Sequence, residues 1–170
     1  MRLRLRPYLH SIDFDIIKNW ITDERTHALW CAGRFPYPLE YDSFRQALDD
    51  MAVRNGDAPF TATDDDGKPI GFFCLSVDCA SEEAMLKFVV IDSNRRGERY
   101  GRMMITQILR YAFLLSEVKA VILNVFSVNE AARHCYLRAG FQVRSETPDA
   151  FQFKDESWGR CNMIKTQRGE

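Results

Sequence analysis

At the start of the chain Leu3 and Leu5 alternate with Arg2, Arg4 and Arg6, the period of a half-buried strand, and Pro7 closes it. Ile12, Ile16, Ile17 and Trp20 then fall on one helical face, predicting a helix from Ile12 to about Ile21 with Ser11 as its cap. A second short helix is expected over Asp23 to Trp30. Gly33-Arg34-Phe35-Pro36-Tyr37-Pro38 reads as an irregular loop. Phe44, Leu48, Met51 and Ala52 predict another helix, starting at Asp42 or Ser43. Phe60 to Thr63 and Ile70 to Val77 flank the turn Asp64-Asp65-Asp66-Gly67-Lys68-Pro69 and predict a hairpin. Met85 to Ile91 is the most apolar strand candidate and is expected near the centre of the sheet. A polar loop follows from Asp92 to Gly101, and Met104, Ile105, Ile108, Leu109, Ala112 and Leu115 mark an amphipathic helix. Ala120 to Phe126 is a β-branched strand, and Asn129 to Ala139 a helix stopped by Gly140. Phe141 to Arg144 and Trp158 to Lys165 are the last two strands, joined by a polar hairpin. This order predicts an α/β (α+β) fold around one central sheet.

Composition narrows the picture. With 170 residues and no low-complexity linker or internal repeat, the chain is read as a single domain, 1–170. Its 23 Lys+Arg against 24 Asp+Glu give a net charge of −1, which argues against a general nucleic-acid partner. The apolar runs fall short of a membrane helix, so no membrane partner is expected. Arg2, Arg4 and Arg6 have the charge of a leader peptide, but no apolar segment follows them. The five cysteines, Cys31, Cys74, Cys79, Cys135 and Cys161, contain no C-x-x-C pair. Reduced thiols in a cytoplasmic protein and no metal site are the expectation.

The chemistry concentrates where the central strand ends. Val89-Val90-Ile91 runs into Asp92-Ser93-Asn94-Arg95-Arg96-Gly97-Glu98-Arg99-Tyr100-Gly101-Arg102, a loop with two glycines and four arginines that opens onto a helix. Free amides at a helix start, together with guanidinium groups, suit a pyrophosphate-bearing guest. Gly101 would let the backbone approach it closely. The P-loop and G-x-G-x-x-G patterns are both absent.

The segment Arg96-Gly97-Glu98-Arg99-Tyr100-Gly101 resembles the [Q/R]-x-x-G-x-[G/A] signature of the GNAT superfamily of acyl-CoA-dependent N-acetyltransferases. Arg99 stands where that family usually has glycine. Asn129-Glu130-Ala131-Ala132-Arg133-His134-Cys135-Tyr136-Leu137-Arg138-Ala139-Gly140-Phe141 matches a second family pattern, N-x-x-A-x-x-x-Y-x-x-x-G-F, at every fixed position. Leu5-Arg6-Pro7 followed by Trp20 is similar to the branch of ribosomal-protein and spermidine acetyltransferases.

The resemblance implies a mixed, mostly antiparallel, twisted sheet of about seven strands, splayed in the middle to take acyl-CoA. It implies direct transfer of acetyl from acetyl-CoA, with no metal, to a primary amine of a small molecule or a peptide. Backbone groups of Val89, Val90 and Ile91 would bind the pantetheine. Arg96, Gly97, Glu98, Arg99, Tyr100, Gly101 and Arg102 would hold the pyrophosphate, and Asn129 would contact the cosubstrate, although asparagine is also a plain helix cap. Tyr136 would protonate the departing thiolate. The general base stays open among Glu82, Glu83, Lys87 and His27. Trp30, Phe35, Tyr37 and Tyr41 would give an aromatic acceptor pocket within Trp20 to Tyr41. The alternative is a catalytically inert acyl-CoA-binding module on the same fold. Sheet edges near the C-terminus could pair two copies into a homodimer.

Overall fold

The structure, a computed structural model, describes residues 2–96 and 99–167. Its strands are β1 (Arg4–Pro7), β2 (Ala58–Thr63), β3 (Pro69–Asp78), β4 (Glu83–Ile91), β5 (Ala120–Phe126), β6 (Gln142–Phe153) and β7 (Glu156–Thr166). Its α-helices are α1 (His10–Ile17), α2 (Glu24–Cys31), α3 (Tyr41–Asn55), α4 (Tyr100–Ala112) and α5 (Glu130–Arg138). One seven-stranded sheet runs in the order β1-β2-β3-β4-β5-β7-β6. Among the described residues only β4 and β5 pair in parallel; the other neighbours are antiparallel. This is the mixed, mostly antiparallel sheet that was expected.

The sheet separates two cores. On one face α4 lays Met104, Ile105, Ile108 and Leu109 against Phe73, Leu75, Leu86 and Leu123, and α5 adds Tyr136. On the other, Phe14, Ile17 and Trp20 join Phe35, Phe44 and Leu48 in an aromatic layer over Phe72, Cys74 and Val90. The alternation along β3 feeds both layers, since successive side chains of a strand point to opposite faces.

The boundaries differ from the sequence reading for local reasons. Ser11 does not cap α1. The helix begins two residues earlier than Ile12, at His10, and the backbone N–H of Leu9 is taken by the Asp13 carboxylate at 2.9 Å. Asp13 is buried, and it also accepts two hydrogen bonds of 2.7 Å from Arg6 and one of 2.8 Å from Thr61. The helix expected at Asp42 or Ser43 starts at Tyr41, and Ala52 in it is exposed. The helix expected to reach Leu115 ends at Ala112. The polar stretch after Arg144 is strand rather than loop: β6 extends to Phe153, and among the described residues one of its edges has no strand partner. Its polar residues face water, so apolar alternation could not reveal it. The tip of this hairpin is tied back to α2 by Arg25–Glu156 and by Lys154–Glu24 at 2.9 Å.

Among the described residues no helix is long and apolar enough to cross a membrane, and no cluster of His, Cys, Asp or Glu could hold a metal ion.

Candidate active site

The site is built by the middle of β4. Its first half is paired on both sides: Glu83 to Leu86 lie opposite Ala120 to Leu123 of β5 and opposite Leu75 to Asp78 of β3. Beyond Leu86 the pairing with β5 stops, while β5 stays paired with β7 through Phe126. The two strands therefore part, and among the described residues Lys87 to Ile91 lack a strand on the β5 side.

A bulge accompanies the parting. Phe72 pairs with Val90 but Cys74 with Lys87, so Phe88 and Val89 together face Phe73. Phe88 takes φ +52°, the left-handed region that admits an extra residue in a ladder. The extra residue reverses the alternation. Ala84 and Leu86 belong to the α4 side, but Phe88 and Val90 turn to the aromatic layer, and Val89 and Ile91 to the α4 side. The Trp30 indole N–H donates to the Phe88 carbonyl at 2.8 Å and pins the bulge to α2.

The parted strands border a cavity of about 500 Å³, lined among others by Trp30, Arg34, Asp57, Lys87, Phe88, Asn124, Phe151 and Arg160. Its walls are β4, β5, α2 with the loop after it, the end of α3, and the paired β6 and β7.

On the opposite face, the start of α4 presents Tyr100, Gly101 and Arg102. Their amides have no side-chain cap and take no acceptor among the described residues. Arg99 is the residue before the helix and holds φ +66°. That left-handed conformation suits glycine, which accounts physically for the usual family residue there. Gly97 and Glu98 lie outside the described residues. Arg96 and Arg102 are exposed. Tyr100 is buried instead, and Arg95 donates to its hydroxyl at 3.0 Å, so this side chain braces the loop. Gly101 is helical, and an added Cβ would meet only Cys135 Sγ at 3.6 Å. The protein itself therefore places no steric demand for glycine there, contrary to a need set by packing.

α5 shows why its motif has that spacing. Asn129 Oδ1 accepts from Ala132 N at 3.3 Å, so the plain-cap reading holds; its side-chain amide nitrogen has no protein partner among the described residues. Gly140, at φ +91°, ends the helix, and the N–H of Phe141 reaches the carbonyl of Tyr136 at 3.1 Å. Phe141 packs edge-on against the Tyr136 ring, with centroids 5.8 Å apart. The Gly-Phe pair thus fixes the tyrosine one turn upstream. Tyr136 is 8% exposed, its hydroxyl has no hydrogen bond among the described residues, and burial pushes its pKa well above the ordinary value.

The model of the acetyltransferase (GNAT) family matches residues 15–141 of this sequence. The chain belongs to the GNAT family. The solved spermidine N-acetyltransferase of Vibrio cholerae, in complex with CoA and spermine, is similar over 98% of this chain and 96% of that one, at 20% identity and a TM-score of 0.83. A chimera of that enzyme with hSSAT matches over the same shares, at 19% identity and a TM-score of 0.81. The V. cholerae enzyme with manganese ions matches at 20% identity and a TM-score of 0.75, covering 97% and 92% of the two chains. As a GNAT acetyltransferase, this protein uses acetyl-CoA as cosubstrate and an amine as acceptor.

The remaining candidates in this GNAT chain separate cleanly. Of the four aromatics expected in the acceptor pocket only Trp30 lines the cavity. Phe35 is fully buried, while Tyr37 and Tyr41 are exposed away from it. Trp20 is also core. Among the candidate bases, Glu83 is bound to Arg144 at 2.6 Å and Glu82 does not line the cavity. His27 is buried against Cys31, with Nε2 3.4 Å from Sγ, and burial lowers its pKa. Lys87 does line the cavity but is paired with Asp57 at 2.8 Å. The sequence reading missed Phe88, Asp57, Asn124 and Arg160. None of the four carried a signal in the sequence: a continuous apolar run feeds both faces by simple alternation, so the slip at Phe88 leaves no mark in it.

Proposed function

We propose that this domain transfers acetyl directly from acetyl-CoA to a primary amine, with the cosubstrate seated between β4 and β5. The observation that carries the reading is β4 beyond Leu86, held on one side only and opening onto the cavity. A pantetheine arm is itself a chain of amides, and Val89, Val90 and Ile91 would pair with it as a missing strand would. The amides of Tyr100, Gly101 and Arg102 suit the diphosphate by charge and direction, and Arg96, Arg99 and Arg102 lie close in sequence to add guanidinium contacts. The free side-chain nitrogen of Asn129 is a further donor to the cosubstrate.

When bound, acetyl-CoA supplies a thioester carbonyl carbon open to an amine. A backbone N–H of the one-sided half of β4 would stabilise charge growing on that carbonyl oxygen. The unprotonated amine forms the C–N bond as the C–S bond breaks, and its proton passes to water. Tyr136 donates its hydroxyl proton to the sulfur and regains one from water, which balances the proton the amine gave up; its raised pKa keeps the hydroxyl protonated at neutral and mildly alkaline pH.

Two coarser expectations are carried forward. Five free cysteines support a reducing, cytoplasmic setting. The unpartnered edge of β6 is where a second copy would add to make a homodimer.

Acetyl-CoA should raise Tm by several degrees, and an amine panel should release free CoA with a mass gain of one acetyl group on the amine. No thermal shift at millimolar acetyl-CoA refutes the reading. A shift with no CoA release across the panel favours the inert acyl-CoA-binding module.

A further inference from the structure

We propose that the acceptor is a primary amine on a molecule that also carries a carboxylate, and that Arg34 and Arg160 select it over polyamines. The inference rests on the proposed acetyl transfer, with the cosubstrate at the parted strands and the rest of the cavity, towards Arg34 and Arg160, open to the acceptor.

Four charged side chains line the cavity: Arg34, Lys87 and Arg160 against Asp57. They come from four different segments, so the excess of positive charge belongs to the void and not to one element. Asp57 does not answer a substrate ammonium. Its side chain is 2% exposed, both its oxygens accept from Lys87 Nζ at 2.8 and 3.0 Å, and Asn55 donates to one of them at 3.3 Å. Lys87 is spent in the same pair. The carboxylates on the flanking elements are spent too, Glu24 on Lys154 and Glu156 on Arg25.

Arg34 and Arg160 are left. Both are exposed, and neither makes an ion pair among the described residues. A second ammonium on the acceptor would meet these guanidinium groups, and Asp57, the one carboxylate among the described lining residues, is already held by Lys87. A carboxylate would find two forked donors of matching geometry. The same field acts on the reacting group, since nearby positive charge favours the neutral amine over the ammonium. A dedicated general base among the cavity residues is then not required, in keeping with Glu82, Glu83 and His27 lying outside the cavity lining.

Three acceptors of equal chain length test this: 6-aminohexanoate, hexylamine and 1,6-diaminohexane, with spermidine as a fourth, compared by kcat/KM at saturating acetyl-CoA. The expected order is aminohexanoate, then hexylamine, then the diamine and spermidine. The ratio of aminohexanoate to diamine should fall about tenfold in Arg160→Gln and invert in the charge-reversed Arg34→Glu/Arg160→Glu protein. It should also shrink between low salt and 0.5 M salt, because exposed charges are screened. The acetyl-CoA KM should stay within about twofold in these variants, since α4 lies on the other face of the sheet. A preference for the diamine or spermidine in the unaltered protein overturns the proposal, as does an order that the arginine variants leave unchanged. An acetyl-CoA thermal shift with no turnover of aminohexanoate also overturns it. Loss of the thermal shift itself is the separate failure of the acetyltransferase reading.

Discussion

The two faces of the sheet solve different problems. On the α4–α5 face an aliphatic core is capped by two helix starts with free polar groups, and the candidate contacts to the cosubstrate are mostly backbone. On the α1–α3 face an aromatic core frames a cavity whose character comes from side chains on α2, the loop after it, β4, β6 and β7. Backbone recognition needs particular residues at fixed spacing, such as glycine to stop a helix or asparagine to start one. Side-chain recognition needs only that scattered residues meet. The first leaves a motif in the sequence; the second does not.

The contrast can be broken most severely at Asp13, which ties β1, α1 and β2 together under the aromatic face. Asp13→Asn should lower stability by about 3 kcal/mol, since a buried partner of Arg6 is lost. Urea unfolding measures this, while the acetyl-CoA Kd of the folded fraction should hardly move. Burial alone would raise the Asp13 carboxyl, but the hydrogen bonds from Arg6, Leu9 and Thr61 outweigh it and hold its pKa below the ordinary range. Its contribution is therefore full above the unfolded value of about 4 and is lost as the pH falls through the lower folded value. Unfolding curves of the two proteins should converge in that acid range; a gap that persists there refutes the assignment.

On the opposite face Tyr136→Phe should lower kcat about 100-fold with little change in acetyl-CoA KM or Tm, because only the donated proton is removed. In the unaltered enzyme the alkaline limb of kcat should show no fall near pH 10, where an ordinary tyrosine titrates, as burial keeps this hydroxyl protonated. A tyrosine-like fall at pH 10 argues against the acid role.

The mildest change is Arg99→Gly. It relieves a left-handed arginine but loosens the unfolded chain, so stability should shift by less than about 1 kcal/mol in either direction. An acetyl-CoA KM changed by less than about threefold would show that the backbone at this position does the binding. A large rise would show that the Arg99 side chain does.

The same contrast explains how far the sequence could be read. β5 was legible to the residue because it is buried and β-branched, and α5 because Asn129 and Gly140 punctuate it. The start of α1 is offset by two residues because the amide of its capping residue, Leu9, is satisfied from inside by Asp13, and Ser11 does not cap it. The outer strand β6 was truncated because almost all of it is wet. Tyr136 stands out in its motif, and the structure fixes it through Phe141. Asp57 and Arg160 are ordinary charged residues in the chain and acquire meaning only from what folding sets beside them.

The slip at Phe88 divides β4 into two reading frames that share one strand. Deleting Val89 would restore a single frame, with Phe73 opposite one residue again, and swing the Phe88 ring across to the α4 side. Trp30 would lose its acceptor, and β4 would be straight enough to zip onward against β5 past Leu123. The opening between those strands thus depends on one supernumerary residue, and a shortened protein should be inert.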